Sequence, residues 1–245
     1  MAILLYLFLF FAGVAAGFIN VLAGGGSMLT LPVLTLLGLD ISVANGTNRV
    51  GILLQNIIAT KNFKKHRLFT LKEGFIIALP ATIGAIFGTF TVLNLNKELL
   101  EKIIGTIFLV MSFFILYKPK VWEEGKSVNR NYLVTFLVFF AIGFYGGFIQ
   151  AGVGFFLILG LVLVEGNNII KTNALKVFIV LNYTVFSFLI FLFNGKVDII
   201  KGLVLATGTM IGANLGTKTA LKTGAKFVRI FVFLMIVISA IKYIL

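Results

Sequence analysis

Apolar positions along this chain do not alternate with polar ones in either the two-residue or the 3.6-residue rhythm of a water-soluble fold. They gather into long runs. Ten apolar segments stand out, at about 2–23, 28–39, 42–60, 74–93, 98–117, 131–150, 153–164, 168–194, 197–214 and 226–244. Eight are long enough to cross about 30 Å of hydrocarbon as helices rising 1.5 Å per residue. The other two, 28–39 and 153–164, have twelve residues each and reach only about 18 Å. Between the halves lies one clearly polar linker, Lys118 to Arg130, with its centre at 121–130. The first segment runs from Met1 to Ala23 without a basic leader and continues into a glycine-rich motif, so it is expected to be a membrane helix.

The two halves repeat one another. Gly17-Phe18-Ile19-Asn20 followed by Gly24-Gly25-Gly26 returns as Gly147-Phe148-Ile149-Gln150 followed by Gly152 and Gly154. Ile83-Gly84-Ala85-Ile86-Phe87-Gly88-Thr89 returns as Ile211-Gly212-Ala213-Asn214-Leu215-Gly216-Thr217. Asn48-Arg49-Val50 is echoed by Leu175-Lys176-Val177, and the offsets are 130, 128 and 127 residues. The expected fold class is therefore an all-α polytopic membrane protein. It is built from two membrane repeats, 1–120 and 131–245, with a short glycine-broken helix at the same place in each. Short, glycine-interrupted segments at matching positions are the best sequence pointer to a transporter site.

Composition agrees. The chain is 60% hydrophobic and 12% charged, too few polar groups to cover a soluble body of 245 residues. It has no cysteine, which excludes disulfides, thiol catalysis and thiolate metal sites. The net charge is +13. In a membrane protein such an excess marks loops that fix orientation and meet anionic lipid, and it also favours an anionic substrate. Nucleic acid is not an expected partner, because the basic residues are scattered over short loops.

If all ten segments cross, one side collects Lys61, Lys64, Lys65, Arg67, Lys72, Lys118, Lys120, Lys126, Arg130, Lys171, Lys176, Lys218, Lys222, Lys226 and Arg229. The other side holds six: Arg49, Lys97, Lys102, Lys196, Lys201 and Lys242. An odd number of crossings per half gives this asymmetry. The positive-inside rule then makes the repeats inverted, with both termini outside.

Several constellations are candidates for function. A non-helical glycine run at membrane depth needs protein or a watery cavity around it, and helix starts beside it attract anions. This nominates Gly24, Gly25, Gly26, Ser27, Gly152 and Gly154, with Thr30 as a further hydroxyl. Arg49 and Lys176 each open a long apolar segment, and intramembrane cations usually mark a pathway or a pair. Asn48, Asn56 and Asn182 lie in the same segments, and Asn20 and Gln150 form a matched amide pair. Gln55 aligns with Asn182 at an offset of 127. Gly84-x-x-x-Gly88 and Gly212-x-x-x-Gly216 suit close helix packing within the protomer or at a homodimer interface. All eight acids fall at segment ends or loops, His66 sits alone in a basic loop, and no cluster has metal-ligand spacing. An enzyme, a metal site and a cofactor are not expected.

The stretch Asn20 to Gly26, the segment Asn45-Gly46-Thr47-Asn48-Arg49 and the second-half glycine region Gly143 to Gly154 resemble the signature regions of the sulfite exporter TauE/SafE family of permeases. The second copy departs from the pattern, because Asn173-Ala174-Leu175-Lys176 lacks the Gly-Thr pair. The resemblance implies gradient-driven or facilitated export or exchange of small sulfur-containing anions, such as sulfite or organosulfonates, in a prokaryotic plasma membrane. The expected mechanism is alternating access. An anion channel and a membrane scaffold without transport are the alternatives.

Overall fold

The computed structural model describes residues 2–95 and 131–244, with side chains placed for 3–95 and 131–223. The apolar segment expected at 98–117 and the linker at 118–130 lie outside the described residues. Eight helices make up the rest: α1 Ala2–Leu22, α2 Ser27–Leu36, α3 Ile41–Lys65, α4 Leu71–Leu93, α5 Tyr132–Phe148, α6 Val153–Leu163, α7 Ile169–Phe193 and α8 Ile199–Ile244. There is no strand among the described residues.

Local chemistry explains most of the starts. Thr70 accepts a bond from the Glu73 N–H at 3.2 Å, the first half of a capping box ahead of α4. Asn131 accepts from the N–H groups of Leu133 and Val134 at the start of α5, and Asn168 accepts from Lys171 at the start of α7. Asp198 does the same for Lys201 at the head of α8. Burial opposes ionisation of Asp198, but its bonds to Lys201 outweigh that and hold its carboxyl below the ordinary range.

One expectation is corrected. The segments at 197–214 and 226–244 are one unbroken helix of 46 residues; the polar stretch between them holds no proline and intersperses its threonines and glycines with the helix formers Ala, Leu and Lys. Of the eight expected crossings, 98–117 and 226–244 lie outside the residues whose side chains are described; of the other six, four are both long and apolar enough to cross a membrane: Ile3–Leu22, Leu71–Leu93, Ile169–Phe193 and Ile199–Thr223. The fifth helix stops after 17 residues, where Gln150 and Gly152 turn to positive φ. The third has ample length but carries Asn45, Asn48, Arg49, Gln55 and Asn56 inside and three lysines near its end.

Large apolar side chains cover the outside, as expected when lipid is the solvent, while the apolar core also encloses a set of buried polar residues. Ile3, Leu7 and Phe11 of α1, Phe87 and Phe90 of α4, Leu133 and Leu137 of α5, and Leu203 and Ile211 of α8 are all exposed. The short helices α2 and α6 begin at the breaks predicted for them, with Gly24 at φ +89° and Gly152 at φ +75°. At about 15 Å each they reach only halfway through hydrocarbon.

Partner choice is crossed between the halves. The first helix packs along α8 and α5 packs along α4, while α3 lies against α8 and α7 against α4. Glycines make both first-helix seams. A methyl on Gly17 would collide with the Thr209 backbone, and one on Gly212 with the Val14 carbonyl. In the matching seam, a methyl on Gly147 would strike the Ala85 backbone, and one on Gly84 the Phe140 carbonyl. The Gly84/Gly88 and Gly212/Gly216 pairs therefore pack helices within one chain.

Contacts at the helix ends sort the loops. The start of α3 meets Lys196–Asp198, where Thr47 accepts from the Asp198 N–H at 2.9 Å. Its far end meets α8 through Asn62 and Asn214 at 3.0 Å. The start of α7 meets the start of α4 through the Lys171–Glu73 ion pair at 2.6 Å.

Candidate functional site at the paired helix breaks

The two glycine breaks meet. Gly24 and Gly154 lie backbone to backbone with no room for a methyl on either, and the Phe155 ring covers Gly25. Around this crossing the chain buries polar groups that a membrane core would otherwise exclude.

The first break is held by amides. The Asn20 side chain accepts from the Gly26 N–H at 2.7 Å and donates to Gln55 at 3.3 Å. That amide oxygen thus takes one of the N–H groups expected to attract an anion at this helix start. Asn48 accepts from Thr30 at 2.7 Å and donates to Ser27 at 3.1 Å, which staples α2 to α3. In the second half Gln150 stands at φ +69° and donates to the Tyr183 hydroxyl at 2.9 Å. The pairs Asn20–Gln55 and Gln150–Tyr183 are equivalents, so the helices that follow the breaks run at an offset of 128 rather than 127. On that register Tyr183, not Asn182, answers Gln55.

Both cations are fully buried, and each reaches the carbonyl end of the opposite half's first helix. The Arg49 guanidinium donates to Gly146 O at 2.8 Å, Gly147 O at 2.7 Å and the Gln150 side chain at 2.5 Å. A longer bond of 3.3 Å goes to Asn45 one turn back, and the Phe191 ring lies 5.4 Å from the guanidinium carbon. Asn45 itself donates to Phe148 O at 2.8 Å. The last carbonyls of a helix have no partners within it, so this pair closes the end of α5. Lys176 donates to Val21 O at 2.9 Å and to the Asn173 side chain at 2.7 Å, closing the end of α1 in the same way. Cations are favoured at the negative end of a helix dipole.

Sequence reasoning nominated both cations but not these backbone partners, which carry no side-chain signature. It also passed over Asn45, Asn173 and Tyr183. The first two share the 128-residue offset and sit one turn before each cation, the signal that marks them. Two nominated amides lie apart from this network. Asn56 turns back to Ile52 O and Asn182 to Phe178 O, each at 2.7 Å within its own helix.

Among the described residues, the buried set contains Arg49 and Lys176 but no carboxylate. Their positive charge is met there by carbonyl and amide oxygens and, for Arg49, by the Phe191 ring. No group of three or more His, Cys, Asp or Glu side chains able to hold a metal ion occurs among the described residues.

A duplicated, crossed helical body with polar breaks at its centre is a transporter-like arrangement, and comparison with known proteins decides the family. The profile of the sulfite exporter TauE/SafE family matches residues 9–243. The chain belongs to that family. A "probable membrane transporter protein" of Haemophilus influenzae is 30% identical over 230 residues, spanning 93% of this chain and 89% of the relative. "Probable membrane transporter protein ORF9" of a Sinorhizobium species is 30% identical over 96% of this chain and 90% of its own length. "Probable membrane transporter protein YfcA" of Escherichia coli K12 is 28% identical, over 95% and 86% respectively. No solved structure matches the chain. As a TauE/SafE protein it is an integral membrane protein of the transporter kind.

Proposed function

We propose that this TauE/SafE protein carries small sulfur-containing anions, sulfite or short organosulfonates, out across a bacterial plasma membrane. Transport is by alternating access between two inverted repeats. The observation that carries the anion reading is the distribution of buried charge among the described residues: two cations, no carboxylate, and each cation at a helix break of the opposite half. Unpaired buried positive charge is costly, and an anion entering between the breaks offsets that cost.

The inverted arrangement is supported by the helix ends. The third helix starts at the Lys196 end and finishes beside Asn214, whereas α7 starts beside Glu73 and finishes at the Lys196 end. Equivalent helices thus run in opposite directions. Lys61, Lys64, Lys65, Arg67, Lys72, Lys171, Lys218 and Lys222 gather at one end. Under the positive-inside rule that end is cytoplasmic. Single cysteines placed at Lys64 and Lys196 in this cysteine-free chain test it. An impermeant maleimide should label position 196 from outside intact cells and position 64 only after lysis. The opposite pattern overturns the orientation.

The substrate reading is tested by uptake into inside-out vesicles containing the purified chain. Radiolabelled sulfite and ethanesulfonate should accumulate saturably, with mutual competition, and chloride should compete poorly. Uptake indistinguishable from that of empty vesicles for both anions would remove the reading.

A further inference from the structure

The two buried cations play matching capping roles from positions one residue apart in the 128-residue register, where Arg49 answers Val177, and they differ in what they leave open. All four N–H donors on the two terminal nitrogens of Arg49 point at four oxygens. Only its Nε lacks a partner, and one face of the guanidinium is covered by the Phe191 ring. Lys176 has three N–H donors, and the oxygens of Val21 and Asn173 engage two of them. Beside it, the Asn173 Nδ2 is fully buried without a partner. The amide cannot be turned round to correct this, because its oxygen is already the acceptor for Lys176.

We propose that Lys176 and Asn173 form the seat of the transported oxyanion, while Arg49 is a fixed cap on α5. This rests on the anion reading above. Asn173 and Lys176 are three residues apart and share a face of α7. The Asn173 Oδ1 lies 2.7 Å from Nζ, and the amide's own geometry keeps Nδ2 within about 5 Å of Nζ. One ammonium N–H and two amide N–H groups therefore sit within reach of two oxygens of a single small oxyanion. Sulfite and the sulfonate group both present such oxygens, as does a carboxylate. The charge comes from Lys176, and the orphaned amide supplies direction. The Arg49 guanidinium itself has only its Nε–H left for an anion, and freeing more of its donors means uncovering the end of α5.

The unequal halves then acquire a meaning. The first half keeps an arginine, whose planar fork suits two adjacent carbonyls. The second half has a lysine, whose point charge is shared without a fixed geometry and leaves a donor over.

The test is equilibrium dialysis of radiolabelled sulfite against the purified full-length chain in detergent, with ethanesulfonate and acetate as competitors. Three proteins are compared: wild type, Lys176→Gln and Asn173→Asp. Gln keeps a donor for Val21 O but removes the charge. Asp removes the free amide donor and offers Lys176 a carboxylate, so this variant should unfold at or above the wild-type temperature while repelling the anion. Both variants should bind sulfite about tenfold or more weakly. Wild-type-like affinity in either folded variant would overturn the assignment. So would a lower unfolding temperature for Asn173→Asp, which is incompatible with an open ammonium facing that position. If wild type binds none of the three anions, the anion reading falls and the assignment with it. If wild type binds and the variants bind equally, the assignment alone falls.

Discussion

Replacing Arg49 with alanine should destabilise the protein by about 3 kcal/mol or more, whatever it does to transport. The side chain is fully buried and ties α3 to the end of α5 through Gly146 O, Gly147 O and Gln150. Hydrogen bonds made by a charged donor contribute about 1.5–3 kcal/mol each in favourable cases, and buried acceptors left bare add a penalty. Removing the charge itself relieves some desolvation, which keeps the expected loss below the simple total. Arg49→Lys should recover only about a third to a half of it, since one ammonium cannot present two parallel donors to neighbouring carbonyls. Reversible unfolding in mixed detergent micelles, followed by circular dichroism, measures both. A loss under about 1 kcal/mol for Arg49→Ala would mean the cap contributes little.

Gly24→Ala should be at least as damaging, at about 4 kcal/mol, and should abolish transport. Two costs coincide there. The backbone stands at φ +89°, where a side chain is strained, and the new methyl would enter the backbone of Gly154. Gly38→Ala separates the two. That glycine has nearly the same φ, +85°, but nothing within 4 Å of an added methyl. It should lose only about 1 kcal/mol and keep full transport. Equal effects at the two positions would show that strain alone matters and that the crossing of the breaks does not.

The sequence disclosed the breaks because only glycine serves there. Gly24 and Gly152 need positive φ, Gly154 needs the absence of a methyl, and their repetition rose above the background of small residues. Arg49 and Lys176 were legible because ions in apolar segments are rare. Their partners were not, since a carbonyl of Gly146 or Val21 looks like any other backbone group. A helix turns 100° per residue, so the one-residue difference between offsets of 127 and 128 was enough to pair Gln55 with Asn182 instead of Tyr183. The continuity of α8 was hidden by Lys218 and Lys222, which look like a loop on composition alone, although nothing in that stretch stops a helix. The direction of each helix depends on contacts such as Lys171–Glu73 that join residues nearly a hundred positions apart.

The crossed pairing also bears on how the molecule is made. Helix α1 packs along α8, so its glycine seam has no tenant until residues beyond 205 have been inserted. The end of that helix waits for Lys176 and the end of α5 for an Arg49 already in the bilayer. Until these partners arrive the nascent chain therefore holds a bare arginine, open carbonyls and an empty groove in lipid. That is the interval in which insertase factors and quality-control proteases have the most to recognise, and stalling between Arg49 and Gly146 should be more hazardous to this protein than stalling once α8 has been inserted.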